Sequence, residues 1–275
     1  MKLCRFQLPE NLAGAGERGA SVPSPLGVGA GAKIAAGILD GGRVHEIASI
    51  FDTTRSGRSW DTTEVKLAAP AEPTKIVCVG RSYAEHAAEL GNEVPKEPLI
   101  FLKPPSSVIG PEEPILIPPI SQRVDYEGEC AVVIGKRLRL KSKDEPVAIS
   151  EYVLGYTCLN DVTARDIQKK DVQFTRGKGF DTFCPIGPVI ETDFDTSKFA
   201  VSTTVNGVRK QAGDASQMLF SVDAIIRWIA QVMTLLPGDV IATGTPPGVG
   251  TLAAGDIVEV AVSGVGTLRN PVTSA

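Results

Sequence analysis

Histidine is nearly missing from this chain. Its 275 residues include two, His45 and His86, so any imidazole chemistry rests on one of them. The five cysteines, Cys4, Cys78, Cys130, Cys158 and Cys184, form no C-x-x-C pair and no Cys/His cluster, which argues against a structural zinc site. They are odd in number, widely spaced and mostly inside apolar runs, the pattern of buried, reduced thiols. No apolar stretch approaches the length of a membrane span, and "MKLCRFQLPE" lacks the apolar core of a signal peptide, so the expectation is a cytoplasmic protein with no membrane partner. The formal net charge is -4 and the one basic patch, "GKRLRLKSK", reads as a solvated strand end and turn, so no nucleic-acid partner is expected. Phosphate-loop motifs and internal repeats are missing too. What remains, 43% hydrophobic and 22% charged residues, is ordinary for a globular protein.

Against this background one stretch stands out, "DYEGECAVVIG" (125–135). After Tyr126 it reads as a strand, rich in Val and bounded by Gly. Residues two apart on a strand share a face, which sets Glu127 beside Glu129. Beyond them both faces are apolar, the mark of a buried strand. Two carboxylates side by side in a low-dielectric interior repel by several kcal/mol unless one is protonated, a cation covers them or a metal binds. An isolated E-x-E is ordinarily a solvated strand end, and the rest of the chain has to decide.

The first 70 residues read as a small unit. "AAGILDGGRVHEIASI" is a β-hairpin around Asp40-Gly41-Gly42, with His45 a surface residue on its second strand. The Gly/Pro/Ala-rich segment 13–32 is a loop, and "KLAAPAEPTK" a linker. From residue 71 to 275 the texture is many short strands punctuated by Gly and Pro, with few helices: an α+β, β-rich domain. "RSYAEHAAELG" predicts a short helix with Ser82 as N-cap, Glu85 completing the box and Gly91 ending it. "VTARDIQKKD" predicts a helix capped by Thr163. "FAVSTTVNGVRKQAG" is a hairpin around Asn206-Gly207. "SVDAIIRWIAQVMTLLPG" carries apolar residues at helical period to position 236 and reads as core packing.

Three groups of residues carry chemistry. Asp161 ends the apolar strand "YTCLND" just before a helix, and with Glu127 and Glu129 it offers an all-carboxylate set, which suits Mg2+ or Mn2+ rather than Zn2+. His86 and Glu89 stand at i and i+3, where a carboxylate can orient an imidazole as a general base, or simply pair with it on an exposed face. Arg165 and Gln168 share a face of their helix. Lys178 lies in the Gly-flanked loop "TRGKGFD", which either folds over a ligand or stays on the surface. "TGTPPGVG" is a turn whose Thr hydroxyls and N–H groups either hold an anion or close the turn.

Taken in order, "GRSYAEHAAELG", "IFLKP", "DYEGECAVVIG", "NDVTARDIQ", "KGFD" and "GDVIATGTPPGVG" resemble the fumarylacetoacetate hydrolase family from Lys75 to the C-terminus. They are most similar to its shorter-chain branch of acylpyruvate hydrolases, oxaloacetate decarboxylases and hydroxymuconate-type isomerases of aromatic catabolism. The resemblance implies mixed sheets forming a partly open barrel or roll, with residues 1–70 as a small N-terminal β-containing domain and 71–275 as the catalytic one. It implies Mg2+ or Mn2+ on Glu127, Glu129 and Asp161, and a His86–Glu89 dyad on a mobile segment. Arg165, Gln168, Lys178 and Thr245 would contact a small keto acid, with Lys178 also offsetting charge in the reaction, and the enzyme would be a homodimer. One departure is that fumarylacetoacetases proper carry a further carboxylate shortly before the histidine, and "KIVCVGRSY" has none.

The reaction expected first is cleavage of a C–C bond in a 2-keto or 2,4-diketo acid, by hydrolysis or decarboxylation through a metal-stabilised enolate. The alternative is isomerisation or hydration of a 2-hydroxymuconate-type dicarboxylate, and a metal-stabilised scaffold without catalysis is the reading from another class.

Overall fold

The computed structural model describes residues 1–8, 33–89, 91 and 93–275. The Gly/Pro/Ala-rich loop expected at 13–32 lies outside the described residues. The protein is mostly β, with mixed sheets of which none closes. In the largest sheet the main path runs Asp52–Asp61, Arg43–Ser49, Ile34–Asp40, Lys2–Gln7, Cys184–Glu191, Val153–Asn160, Gly128–Ile134, Val240–Ala242, Ile76–Gly80, Leu99–Lys103. A second sheet runs Val208–Asp214, Ala200–Val205, Ile257–Val262, Gly266–Ser274, Ile115–Ile117, and a third is made of Thr163–Ala164, Val124–Tyr126 and Gly250–Thr251.

Both hairpins form where their turn residues put them. Ile34–Asp40 pairs with Arg43–Ser49 across Gly41-Gly42, and Ala200–Val205 pairs with Val208–Asp214 across Asn206-Gly207. Asn206 and Gly207 have φ of 52° and 75°, the left-handed values that a two-residue hairpin turn requires. His45 is half-buried rather than on the open surface. The N-terminal strands do not make a sheet of their own: Lys2 and Leu3 pair with Glu191 and Ile190, joining the hairpin to the main sheet.

Gly128–Ile134 is the central element, buried along its whole length. Its alternation feeds two cores. Cys130, Val132 and Ile134 pack with the helix Val222–Val232, and Ala131 and Val133 pack with Ile76, Cys78 and Ile186 on the other side. Burying each of those valines contributes about 1.5–3 kcal/mol, so the strand is firmly fixed in position. Glu127 itself falls in the break between Val124–Tyr126 and Gly128–Ile134, not within a strand. Gly128 is required at this break because a Cβ there would overlap Thr203 Oγ1 on the second sheet.

The helices correct the sequence reading in detail. Val222–Val232 starts as expected, with Ser221 Oγ accepting from Ala224 N, and buries Val222, Ile225, Ile226 and Ile229. It stops short of residue 236 because Leu235 bridges to Leu138 in extended form ahead of Pro237. Ser82 is not an N-cap: its hydroxyl donates to Thr243 O at 2.6 Å, and the helix runs Ala84–Glu89. Thr163 does not cap the next helix, Arg165–Asp171, because its hydroxyl donates to Asp161 O at 2.9 Å. In each place the hydroxyl donates to a backbone carbonyl, distant in sequence for Ser82 and two residues back for Thr163, in place of the cap the local pattern suggested. Lys178 ends a one-turn helix, Phe174–Lys178, instead of sitting in an open loop. All five cysteines are free and buried, and no described helix is long and apolar enough to cross a membrane.

Candidate active site

Antiparallel register brings the acids together. Gly128 faces Asn160 and Glu129 faces Leu159, so the residues just outside that pairing, Glu127 and Asp161, meet at the end of the ladder. Asp161 N donates to Glu127 O at 2.8 Å, and Glu127 N donates to Asn160 Oδ1 at 2.9 Å. One carboxylate oxygen from each of Glu127, Glu129 and Asp161 lies within 4.8 Å of the others, and all three residues are buried.

Cations meet these acids unevenly. Lys178 Nζ donates to Asp161 Oδ2 at 2.5 Å and to Glu127 Oε2 at 2.8 Å, and lies 4.9 Å from the centre of the Phe101 ring. Arg165 donates through Nη2 to Glu127, through Nε to Asp125 Oδ2 at 3.0 Å and through Nη1 to Gln168 Oε1 at 2.8 Å. Lys103 Nζ donates to Asp161 Oδ1 at 2.6 Å. Among the described residues Glu129 has no ion-pair partner and one hydrogen bond, from Gly244 N at 2.6 Å. Gly244 is held at φ +101° beside Ser82, a conformation and an approach that only glycine permits.

The proton affinities follow this asymmetry. Burial pushes Glu127 up, but the ammonium of Lys178, then Arg165 and His86, outweigh it and hold the carboxyl well below its usual range. Burial and the charge of Asp161 push Glu129 well above its usual range, with Lys178 offsetting only part. Burial disfavours charge on Lys178, yet Asp161 and Glu127 keep it firmly protonated.

His86 is buried, and its Nδ1 lies 3.2 Å from Glu89 Oε2. A carboxylate only accepts, so this pairing puts the imidazole proton on Nδ1 and leaves Nε2 as the basic nitrogen. Gly248 N donates to Glu89 Oε1 at 3.0 Å, tying the helix to the "TGTPPGVG" turn. Thr245 Oγ1 donates to Gly128 O at 2.8 Å and accepts from Gln211 Nε2 at 2.8 Å, so its hydroxyl braces the turn.

A cavity of about 290 Å³ collects these groups. Its walls include His86, Glu127, Glu129, Asp161, Arg165, Gln168, Lys178 and Thr245, with Glu89 behind His86. Val79, Phe101, Val172 and Phe174 give one part of it an apolar lining. The sequence reading missed two buried charges here. Asp125 clamps Arg165, and Lys103 backs Asp161; Lys103 ends an apolar run and Asp125 alternates with Arg123 and Glu127, and neither local pattern names the distant partner.

The donor set fits a hard divalent cation. Three carboxylates converge without sulfur or imidazole, and the one among them that lacks a cationic partner, Glu129, is buried.

Residues 75–273 match the family described as "Fumarylacetoacetate (FAA) hydrolase C-terminal". The chain belongs to the fumarylacetoacetate hydrolase family. It is 52% identical over 214 residues to an uncharacterized protein of Methanocaldococcus jannaschii, covering 78% of this chain and 86% of that one. It is 43% identical over 223 residues to the mitochondrial oxaloacetate tautomerase fahd2 of Xenopus laevis, covering 76% of this chain and 69% of that one. Among solved structures, 5-carboxymethyl-2-hydroxymuconate delta-isomerase from Mycobacterium smegmatis superposes with a TM-score of 0.82 at 41% identity, over 100% of both chains. The protein is thus an enzyme of this family, with relatives named as a tautomerase and an isomerase.

Proposed function

We propose that this enzyme binds Mg2+ or Mn2+ on Glu127, Glu129 and Asp161 and moves a proton on a small 2-keto acid, interconverting keto and enol forms or shifting a double bond. The observation that carries this reading is that an oriented base and three converging carboxylates share one small cavity. A divalent ion bound there supplies Lewis acidity toward a keto oxygen. Glu89 orients His86, whose Nε2 takes the proton from carbon or oxygen and returns it at the neighbouring position. Lys178, protonated and on the cavity wall, offsets negative charge on the substrate oxygens. Arg165 and Gln168 hold the substrate carboxylate, with Arg165 kept in place by Asp125. The printed names of the two enzyme relatives support proton transfer over bond cleavage.

Cleavage of a C–C bond, by hydrolysis or decarboxylation, is the second reading. The same base can activate a water, and the apolar wall of Val79, Phe101, Val172 and Phe174 suits the acyl end of an acylpyruvate. Initial rates on enol-oxaloacetate, a 2-hydroxymuconate and acetylpyruvate separate the two. Faster conversion of the first two without release of CO2 supports proton transfer. Hydrolysis of acetylpyruvate, or release of CO2 from oxaloacetate, supports cleavage, and turnover of none removes both.

We also propose a homodimer. Leu99–Lys103 is an edge strand of the main sheet, and its Leu99 and Leu102 are 38% and 46% exposed. Apolar edges of this kind are normally covered.

A further inference from the structure

We propose that Lys103 sets the charge of the metal site: it is a fixed buried cation that keeps the three carboxylates from holding a divalent ion tightly by themselves, and so makes capture of the ion depend on a chelating dianion. This rests on the metal-dependent reading above.

Lys103 ends the strand Leu99–Lys103, and its side chain is 0% exposed. Its Nζ donates to Asp161 Oδ1 at 2.6 Å and to Val162 O at 3.1 Å, two acceptors on adjacent residues. Lys178 approaches the other oxygen of the same carboxylate, Oδ2, and lines the cavity; Lys103 does not. The two lysines therefore differ in kind. Lys178 is at the cavity wall, where it can turn toward a ligand. Lys103 is enclosed behind Asp161 and stays.

The charge count follows. With all three acids ionised as ligands, Glu127, Glu129 and Asp161 are matched by Lys103, Lys178 and Arg165, and each of these cations pairs with at least one of the acids. Asp125 is matched by the outer Arg123. A divalent ion entering such a set brings both its charges uncompensated into a buried site, where charge imbalance is expensive. A ligand that places two negative charges on the ion restores balance. The carboxylate and enolate oxygens of an enolised 2-keto acid do this, whereas a neutral carbonyl compound or a monoanion does not. Lys103 is thus a positioning residue: it holds one oxygen of Asp161, leaves the other to the cavity, and couples ion to dianion. By linkage the dianion tightens the ion as much as the ion tightens the dianion.

The test is Mn2+ affinity, read from the spin-resonance signal of the free ion in a metal buffer, with and without oxalate as the dianionic probe. In the unaltered protein, saturating oxalate should tighten Mn2+ by about tenfold or more, within the usual range of coupling between sites. Lys103→Met should bind Mn2+ alone more tightly, by about tenfold for one nearby charge removed, and show a smaller oxalate effect. Lys103→Gln keeps a donor for Asp161 without the charge, and serves should the Met variant fail to fold. A purely structural role cannot make metal binding tighter. Equal Mn2+ affinity with and without oxalate in the unaltered protein overturns the proposal, as does unchanged or weaker Mn2+ binding in the folded neutral variants. No Mn2+ binding under any condition is a different result, and overturns the metal-dependent reading itself.

Discussion

Glu129→Gln should make the metal-free protein more stable while removing its response to metal. Glu129 lies within 4.8 Å of oxygens of both Glu127 and Asp161, is buried, and has no cation of its own. Two unit charges at that separation would repel by roughly 3–4 kcal/mol at an effective dielectric constant near 20, which together with burial pushes the Glu129 carboxyl well above its usual range. Lys178, which sits against both neighbours, offsets part of this, and holding a proton on Glu129 at neutral pH still costs about 2 kcal/mol that a neutral amide does not incur. The amide oxygen can keep the bond from Gly244 N, and the new NH2 can donate to the adjacent carboxylates, so the replacement introduces no orphan group. For a chain of this size, ~2 kcal/mol corresponds to a Tm roughly 5 °C higher. Melting followed by calorimetry in EDTA and again in Mn2+ reads both effects. The parent should gain stability from Mn2+, because a ligand bound only by the native state raises Tm by mass action; the variant should start higher and gain little. A variant that melts below the parent in EDTA, or one that keeps the full Mn2+ shift, would refute the reasoning.

His86→Ala should lower turnover by roughly 10²-fold, the usual scale for a lost general base, with Mn2+ affinity unchanged; Glu89→Gln should act in the same direction more weakly, and parental rates in both would rule out the dyad. Burial pulls the Glu46 carboxyl up, but hydrogen bonds from Arg58 and Ser56 outweigh it and hold the folded value below the unfolded one. The stability it contributes is therefore complete above the ordinary carboxylate range and is lost as pH falls through the folded value. Arg58 is 52% exposed, so the effect is ~1 kcal/mol or less, and Glu46→Gln should flatten the acid limb of the stability curve by that amount. Sedimentation at micromolar concentration should show a dimer, and Leu102→Lys on the exposed edge strand should shift it toward monomer; a monomer in the parent protein ends the edge-pairing idea.

The sequence carried the site further than it carried the local geometry. The hairpins at Gly41-Gly42 and Asn206-Gly207 were legible because their turn residues act within a few positions. The strand beyond Tyr126 was legible because both its faces are apolar. The nine expected residues converge on or beside one cavity because the six motifs carry long-range information that no periodicity does. The caps at Ser82 and Thr163 failed for a physical reason. A serine or threonine beside a helix start can donate to another backbone carbonyl, here the distant Thr243 O for Ser82 and the nearby Asp161 O for Thr163. Lys103 and Asp125 escaped because the local sequence says nothing about a partner 58 residues away for Lys103 or 40 for Asp125. The pairing of Lys2 with Glu191 is more distant still, and joins the N-terminal hairpin to the sheet that carries the site.

Three buried acids are proposed to hold a divalent ion that the keto-acid chemistry requires. The most direct test of this proposal is turnover of enol-oxaloacetate by EDTA-stripped protein as Mn2+ is titrated back. Without metal the rate should stay near the uncatalysed one and rise to saturation as Mn2+ fills one site per chain, with no such rise in Glu127→Ala. Full turnover by the stripped protein, or the same Mn2+ response in Glu127→Ala, would contradict it.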